Sequence, residues 1–198
     1  ELTYCQSIGI EFIYMRDPER IAWLKSRIEL KNRPNLDKNR KIKIFEKLSQ
    51  ASAFEAFLGK KFVGQKRFSI EGGESLIPAL DTLIDAGSAS GIQYFVMGMA
   101  HRGRLNTLAN IFNKKPSDIF SEFEGKEFEF DTYFDGDVKY HQGFTSHIKL
   151  SSGNIVIDLI GSIIYSSGLL LLIKIGNNIV LIPNLLLLIS KNLPDSSL

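Results

Sequence analysis

The chain has 198 residues, of which 44% are hydrophobic, and this is enough for one compact domain with a sizeable core. Its 24 basic and 22 acidic side chains give a net charge of +2, and because the two signs are interleaved we expect no nucleic-acid partner. The single cysteine, Cys5, excludes an internal disulfide and fits a reducing compartment, with the cytoplasm as the expected location. No secretory signal is visible, and the missing initiator Met predicts a fragment.

Helices are predicted in the first third of the chain. Asp17 is a helix-cap residue followed by a proline and an acid, so a helix should run from about residue 18 to 30. Asp37 can cap a second helix, which would place three apolar residues on one side: Ile42, Phe45 and Leu48. Residues 52–55 match the capping-box pattern, and this predicts a separate short helix that ends at Gly59.

A helix, a strand, a basic turn and another helix are predicted next. An amphipathic run predicts a helix from Leu76 to about Gly87. Residues 94–99 are apolar without polar alternation, as expected of a central parallel strand that is covered on both faces. Residues 105–112 again have helical spacing. The residues between these two elements are therefore predicted to lie on a turn, among them His101 and Arg102.

The basic turn has two interpretations. Ligands of open α/β sheets bind beyond the carboxyl ends of strands, where helix N-termini present free N–H groups to anions. Arg102 and Arg104 would add charge there, and Gly103 would let the backbone approach a phosphate closely. Alternatively, one or both arginines form ion pairs at the surface or at the helix end. The pattern matches no standard nucleotide-binding motif, so spacing alone leaves both interpretations open.

A second polar stretch covers residues 135–146. Its Asp-Gly pair and the apolar residues after it are typical of a turn followed by a strand. His141 could belong to the core, to the surface or to a site. His141 and His147 are six positions apart, which matches no standard zinc-ligand spacing, so we expect no metal site built from these residues.

The composition changes between residues 150 and 160. All 14 Phe residues and the single Trp precede the change, and after it only Asp158 and Asp195 are acidic and only Lys174 and Lys191 are basic. Three interpretations of residues 151–198 compete. They are a membrane span over residues 155–173, a pair of buried strands at residues 163–165 and 179–182, and an out-of-frame or otherwise non-native sequence. We favour the third, and expect few specific contacts between this apolar low-complexity tail and residues 1–150.

Five segments, in order, resemble one protein family. They are residues 4–12, 66–74 (Lys-Arg-Phe-Ser-Ile-Glu-Gly-Gly-Glu), 98–106 (Gly-Met-Ala-His-Arg-Gly-Arg-Leu-Asn), 120–123 and 136–141. Together they look like the first, decarboxylating component of the 2-oxoglutarate dehydrogenase complex. The resemblance covers about 150 residues and implies that they form the beginning of that enzyme's thiamine-diphosphate-binding domain.

The resemblance also implies a fold and a site. The fold would be α/β, with residues 1–150 supplying the leading helices and the first strand of an incomplete parallel-sheet domain. The cofactors would be thiamine diphosphate and Mg²⁺, with Arg102 contacting the diphosphate. His101 and His141 would be catalytic, and His141 and Thr145 would contact the substrate.

The implied reaction is the oxidative decarboxylation of 2-oxoglutarate in the tricarboxylic acid cycle, with succinyl transfer to the lipoyl arm of a dihydrolipoyl succinyltransferase. The full family enzyme is a homodimer, in the cytoplasm of bacteria or the mitochondrial matrix of eukaryotes. This chain departs from the family pattern because it lacks an Asn-Pro-Ser-His-Leu-Glu stretch, the Gly-Asp-Gly and Asn that hold the metal, and the glutamate that activates the cofactor. We therefore expect it to be inactive alone. The alternative is a noncatalytic, membrane-anchored or interaction protein with a family-derived head, although we expect no membrane association.

Overall fold

The computed structural model describes residues 12–29, 36–124 and 143–160, together with the main chain of two further strands at 170–175 and 178–183. Five helices occur in the described residues: α1 (Pro18–Ile28), α2 (Lys38–Lys61), α3 (Leu76–Ala89), α4 (Arg104–Asn110) and α5 (Pro116–Phe123). The five described strands are β1 (Tyr94–Gly98), β2 (Phe144–Leu150), β3 (Gly153–Leu159), β4 (Leu170–Ile175) and β5 (Asn178–Pro183). The predicted α/β class is confirmed at this level.

The five strands form one sheet in the order β2-β3-β1-β4-β5. Strand β1 is central, as predicted, and pairs in parallel with β3. Its other neighbour, β4, is antiparallel, and so are the β2–β3 and β4–β5 pairs. The sheet is therefore mixed, and the expected parallel sheet is confirmed only for the β1–β3 pair among the described strands. Two-residue turns such as the one joining β2 to β3 produce antiparallel neighbours, because a parallel crossover needs a longer connection.

The predicted first helix is confirmed as α1, and its start follows from the cap. The side chain of Asp17 accepts hydrogen bonds from the main-chain N–H groups of Glu19 (3.0 Å) and Arg20 (3.3 Å). These bonds satisfy donors that have no partner inside the helix. No residue of α1 is buried, so its contribution to the described core is small.

The second helix differs from its prediction. Asp37 caps α2 as expected, but α2 continues to Lys61 without a break, so the separate short helix starting at residue 52 is wrong. Glu55 could have closed a capping box, but instead it is buried and bonded to other elements. Tertiary contacts thus override a local pattern here. Ile42 and Phe45 are exposed, so the apolar side of the first half of α2 is largely outside the core.

One core fills the space between the sheet and the helices. Phe95 and Met97 of β1 have no exposed surface, and they belong to the same buried cluster as residues of α2 to α5. On the opposite face of β1, Tyr94 and Val96 are only half-buried. The prediction that this strand is fully covered on both faces is therefore correct for the helix face only.

Part of the tail (residues 151–198) packs into the core, although few contacts with residues 1–150 were expected. Strand β3, which begins at Gly153, pairs with β1 and places Ile155, Ile157 and Leu159 in the core with at most 2% exposed surface. The expected lack of contacts is therefore wrong for residues 153–159, and also for residues 170–175, whose main chain pairs with β1 as strand β4. The reason is that β3 alternates buried and half-buried residues, a strand pattern that average composition conceals.

The other tail interpretations have separate outcomes. Residues 155–159 and 170–173 lie in strands, so residues 155–173 do not form one spanning helix. No helix among the described residues is long and apolar enough to cross a bilayer. Residues 179–182 lie in β5, which agrees with a predicted strand there, whereas residues 163–165 lie outside the described residues.

Candidate functional site

The predicted turn follows the carboxyl end of β1. His101 and Arg102 lie on it, between β1 and the first residue of α4, which confirms the prediction from the sequence. The helix begins after Gly103, whose φ of +74° is in the left-handed region. Residues with a Cβ rarely adopt this conformation, so glycine suits the position.

The second family-like motif packs directly against this turn. The carbonyl of Phe68 accepts a hydrogen bond from the N–H of Gly103 (2.8 Å), and Arg102 Nη2 donates to the carbonyl of Glu71 (2.7 Å). The rings of Phe68 and His101 are stacked, with 4.9 Å between centroids and 28° between planes. We call residues 66–74 the site loop. Two segments about thirty positions apart in the sequence thus form one structure.

The site loop packs closely against the basic turn, and Phe68 and Gly103 both have a positive φ at this contact. A Cβ on Gly103 would lie 2.7 Å from Ile70 Cδ1, which no side chain could accept without movement. Phe68 itself has a φ of +44°, a conformation that costs a bulky residue on the order of 1 to 3 kcal/mol. Neighbouring contacts hold Phe68 in this conformation, and among them is its carbonyl bond to Gly103.

A buried polar cluster fixes the base of the site loop. Glu55 Oε1 accepts from the N–H of Ile70 (3.3 Å) and from Asn106 Nδ2 (3.0 Å), and Oε2 accepts from Arg67 Nη1 (3.2 Å). Asn106 Nδ2 also donates to the carbonyl of Ala51 (2.9 Å). We call Glu55, Arg67 and Asn106 the Glu55 cluster. It joins α2, the site loop and α4 at a single carboxylate.

The two arginines of the basic turn differ in burial and in their contacts. Arg102 is exposed, whereas Arg104 has no exposed surface and donates to the carbonyls of Met99 (3.0 Å) and Ile160 (2.9 Å). Arg104 therefore ties the end of β1 to the end of β3, and the interpretation of both arginines as anion ligands is wrong for Arg104. Burial lowers the pKa of the Arg104 guanidinium to about 10, which leaves it charged at neutral pH.

The described part of the site fits a diphosphate only in part. The N–H of Gly103 is used by Phe68 and that of Arg104 by the carbonyl of His101 (3.1 Å), so these two donors do not point at a ligand. Arg102 remains as the exposed cation of the turn. Among the described residues no group of three His, Cys, Asp or Glu side chains could hold a metal ion. Among the described residues, the turn therefore presents the Arg102 guanidinium but neither of these two main-chain donors to a ligand.

The two other predicted site residues have different outcomes. Thr145 is exposed on β2, opposite Asp158 of β3 and one position from the strand end where Phe144 pairs with Leu159. Because β1 and β3 are parallel, Thr145 lies near the same sheet edge as the basic turn. His141 lies outside the described residues.

Four residues of this region were not singled out by the sequence: Glu55, Arg67, Phe68 and Asn106. Of these four, Asn106 carried a weak signal in the sequence. Asn106 is a polar residue that follows Leu105 in a short predicted helix, and it is fully buried. Buried amides need partners, so its position predicts a polar neighbour without saying which one.

Known proteins match most of the chain. It is 46% identical over 158 residues to the "2-oxoglutarate dehydrogenase E1 component" of Cupriavidus necator, and 46% over 154 residues to the protein of that name from Azotobacter vinelandii. It is 49% identical over 141 residues to a "Multifunctional 2-oxoglutarate metabolism enzyme" of Mycolicibacterium vanbaalenii. These alignments cover 79%, 77% and 71% of this chain but only 16%, 16% and 11% of the relatives.

No protein-family model matches the chain. The identities to curated relatives nevertheless extend over about three quarters of its length, and they agree with the family indicated by the motifs at residues 66–74 and 98–106. Over about three quarters of its length the chain thus corresponds to one segment of proteins named 2-oxoglutarate dehydrogenase E1 component, and it spans only about a sixth of the length of those relatives.

Proposed function

We propose that this segment contributes part of the cofactor and substrate site of a thiamine-diphosphate-dependent 2-oxoglutarate dehydrogenase. The observation that carries the proposal is the packing of the site loop against the turn that bears His101 and Arg102, at the carboxyl end of a central strand. Ligands of open α/β sheets bind at such edges. The whole enzyme decarboxylates 2-oxoglutarate and transfers succinyl to the lipoyl arm of a dihydrolipoyl succinyltransferase.

Each site residue has a proposed task. Arg102 is exposed and suited to a phosphate oxygen of the cofactor. His101 and His141 hold or move a proton at the imidazole. His141 and Thr145 contact the substrate. When bound, thiamine diphosphate supplies the electron sink of the reaction, and its Mg²⁺ would be held by residues that this chain lacks.

The chain alone should not catalyse decarboxylation. The described residues contain no group of three His, Cys, Asp or Glu side chains that could hold a metal ion, and the alignments span only 11 to 17% of these relatives, so most of an active site must come from elsewhere. Purified 198-residue protein with thiamine diphosphate and Mg²⁺ should release no CO₂ from 2-oxoglutarate. Measurable turnover would contradict this expectation.

A chimaera tests the proposed function directly. The aligned segment of the Azotobacter vinelandii protein is replaced by the matching segment of this chain, and CO₂ release is measured at varied thiamine diphosphate. We expect activity, with His101→Ala and His141→Ala each lowering turnover about a hundredfold or more. Arg102→Ala should first raise the cofactor concentration needed for half-maximal rate.

The third histidine provides the matched control. His147 is exposed on β2, so His147→Ala should leave both kinetic constants of the chimaera close to those of the unsubstituted protein. An inactive chimaera that is folded and dimeric would contradict the proposed function. Near-normal turnover of both the His101 and the His141 variants would contradict the site assignment.

We further propose that the chain leaves the family sequence after β3, and that the remaining tail is translated out of frame or is otherwise non-native. Its support is the loss of charged residues, since Lys174, Lys191 and Asp195 are the only ones after Ile160. Reading the coding DNA in all three frames beyond codon 160 tests this. An Asn-Pro-Ser-His-Leu-Glu sequence in another frame is expected, and failure in every frame would contradict it.

A further inference from the structure

We infer that Glu55 is a positioning residue for His101 and Arg102, an inference that rests on the proposed function of those two residues. Glu55 belongs to α2 and touches neither of them. It holds the two elements between which they lie, the site loop and α4.

Two routes of hydrogen bonds lead from Glu55 to the basic turn. In the first, Glu55 holds the N–H of Ile70, and the neighbouring loop carbonyls of Phe68 and Glu71 hold Gly103 and Arg102. In the second, Glu55 binds Asn106, which lies three residues after Gly103 on α4. One carboxylate therefore fixes the spacing between the loop and the helix, and with it the place of the turn.

The burial of Glu55 makes this spacing stiff. The residue is 3% exposed, and both of its side-chain oxygens accept hydrogen bonds within the protein. Arg67, whose side chain is 25% exposed, supplies the compensating charge at 3.2 Å. A buried, fully bonded carboxylate has few alternative orientations, so the loop and α4 share one arrangement. The stacked rings of Phe68 and His101 report on that arrangement, because a small shift of the loop separates them.

The first experiment uses the 198-residue chain and the NMR signals of its histidine rings, with His101 assigned through His101→Ala. Protons stacked on an aromatic face are shifted by its ring current, so Phe68→Leu gives the shift expected for loss of the stack. We expect Glu55→Gln, which keeps one acceptor but loses the charge facing Arg67, to move the His101 signals in the same direction. Glu55→Ala should move them further.

The matched control is Glu46→Gln, which makes the same change on the same helix at an exposed position and should leave the His101 signals unmoved. If Glu55→Ala does not fold, Glu55→Gln decides, because its side chain has the same size. Folded Glu55 variants with unmoved His101 signals would overturn the inference. A purely structural role would lower the folded fraction without shifting the signals of the molecules that remain folded.

The second experiment uses the chimaera. Glu55→Gln should raise the thiamine diphosphate concentration for half-maximal rate about 10-fold and lower kcat at saturating cofactor, as expected when the support of a binding residue is loosened. Glu46→Gln should change neither constant. Unaltered constants in Glu55→Gln would overturn the inference. An inactive unsubstituted chimaera would instead count against the proposed function, and the histidine signals would still decide the role of Glu55.

Discussion

Helix α2 makes two sets of polar contacts, and they differ in burial. Towards its C-terminal end lies the Glu55 cluster, in which Glu55 is 3% exposed. Towards its N-terminal end, Lys43 contacts Asp81 (2.8 Å) and Asp85 of α3, and the Lys43 side chain is 45% exposed. We call these three residues, with Lys47, the surface lysine cluster; Lys47 also contacts Asp81 (3.1 Å).

Similar contacts have different consequences in the two regions. When one partner is lost at the surface, water replaces it, and exposed ion pairs are worth roughly 0 to 1 kcal/mol. When one partner is lost in the interior, the remaining groups are left without hydrogen bonds, which costs far more. The expected effects below therefore follow burial and backbone fit, and the number of ion pairs does not predict them.

The largest expected effect is that of Glu55→Ala. It leaves Arg67, Asn106 and the N–H of Ile70 without their carboxylate partner, and losing one member of a buried charge pair costs about 3 to 5 kcal/mol. Denaturant unfolding of the 198-residue chain measures the loss of free energy. Glu46→Ala, exposed on the same helix, should change it by less than about 0.5 kcal/mol. Equal effects of the two substitutions would contradict the comparison.

Sequence patterns correctly predicted several individual helices and strands. A cap at Asp17, an apolar run at residues 94–99 and helical spacing after Gly103 identified α1, β1 and α4, and the turn between the last two. These signals are local, since caps and periodicity involve neighbours in the chain. The same local logic wrongly ended a helix before Ser52, because the buried role of Glu55 depends on residues 12 to 51 positions away.

The site was predictable only in part for the same reason. Arg102 and Arg104 are two positions apart and look alike in the sequence, yet one is exposed and one ties β1 to β3. The distinction depends on the carbonyl of Ile160, which belongs to a stretch whose composition disguised a core strand. Burial of a charged residue is set by its distant partners, and a single sequence does not reveal them.

Gly103→Ala should have the next largest effect, about 3 kcal/mol. An alanine at this position would have to keep the unfavourable φ of +74°. Its methyl group would also lie 2.7 Å from Ile70 Cδ1. Gly91→Ala separates the two costs, because Gly91 has a φ of +89° with nothing within 4 Å of its added Cβ. That control should lose only about 1 kcal/mol. If both variants lose the same free energy, the close packing of Gly103 against the site loop is not a stabilising feature.

Arg104→Met should cost less, about 2 kcal/mol. Methionine fills the space of the arginine stem, and removal of a buried charge offsets part of the two lost hydrogen bonds to Met99 and Ile160. Arg102→Met, at the exposed position of the same turn, should cost less than about 0.5 kcal/mol. Hydrogen exchange gives a second measurement, because the N–H of Ile160 donates to Met97 (2.9 Å) and should exchange faster only in the Arg104 variant. Unchanged exchange would contradict the proposed link between the two strand ends.

The smallest effect is expected in the surface lysine cluster. Lys43→Met should lower the free energy of unfolding by less than about 1 kcal/mol, and added salt should reduce the difference, because the Lys43 side chain is 45% exposed and Lys47 still contacts Asp81. Burial acts to lower the pKa of Lys43, but hydrogen bonds and charges from Asp81 and Asp85 outweigh it and raise the pKa above its usual 10.5.

The raised pKa of Lys43 determines how its contribution to the free energy of unfolding changes with pH. The folded protein holds the Lys43 proton more tightly than the unfolded chain, so the contribution is fully present below pH 10.5 and is lost as pH rises through the higher folded pKa. The difference in unfolding free energy between the unsubstituted chain and Lys43→Met should therefore be constant from neutral pH to about pH 10 and shrink above it. Lys38→Met, at an exposed position in the first turn of the same helix, provides the control and should show no such decline. A Lys43 contribution that grows at alkaline pH, or that matches the Glu55 effect in size, would contradict the view that burial separates the two regions.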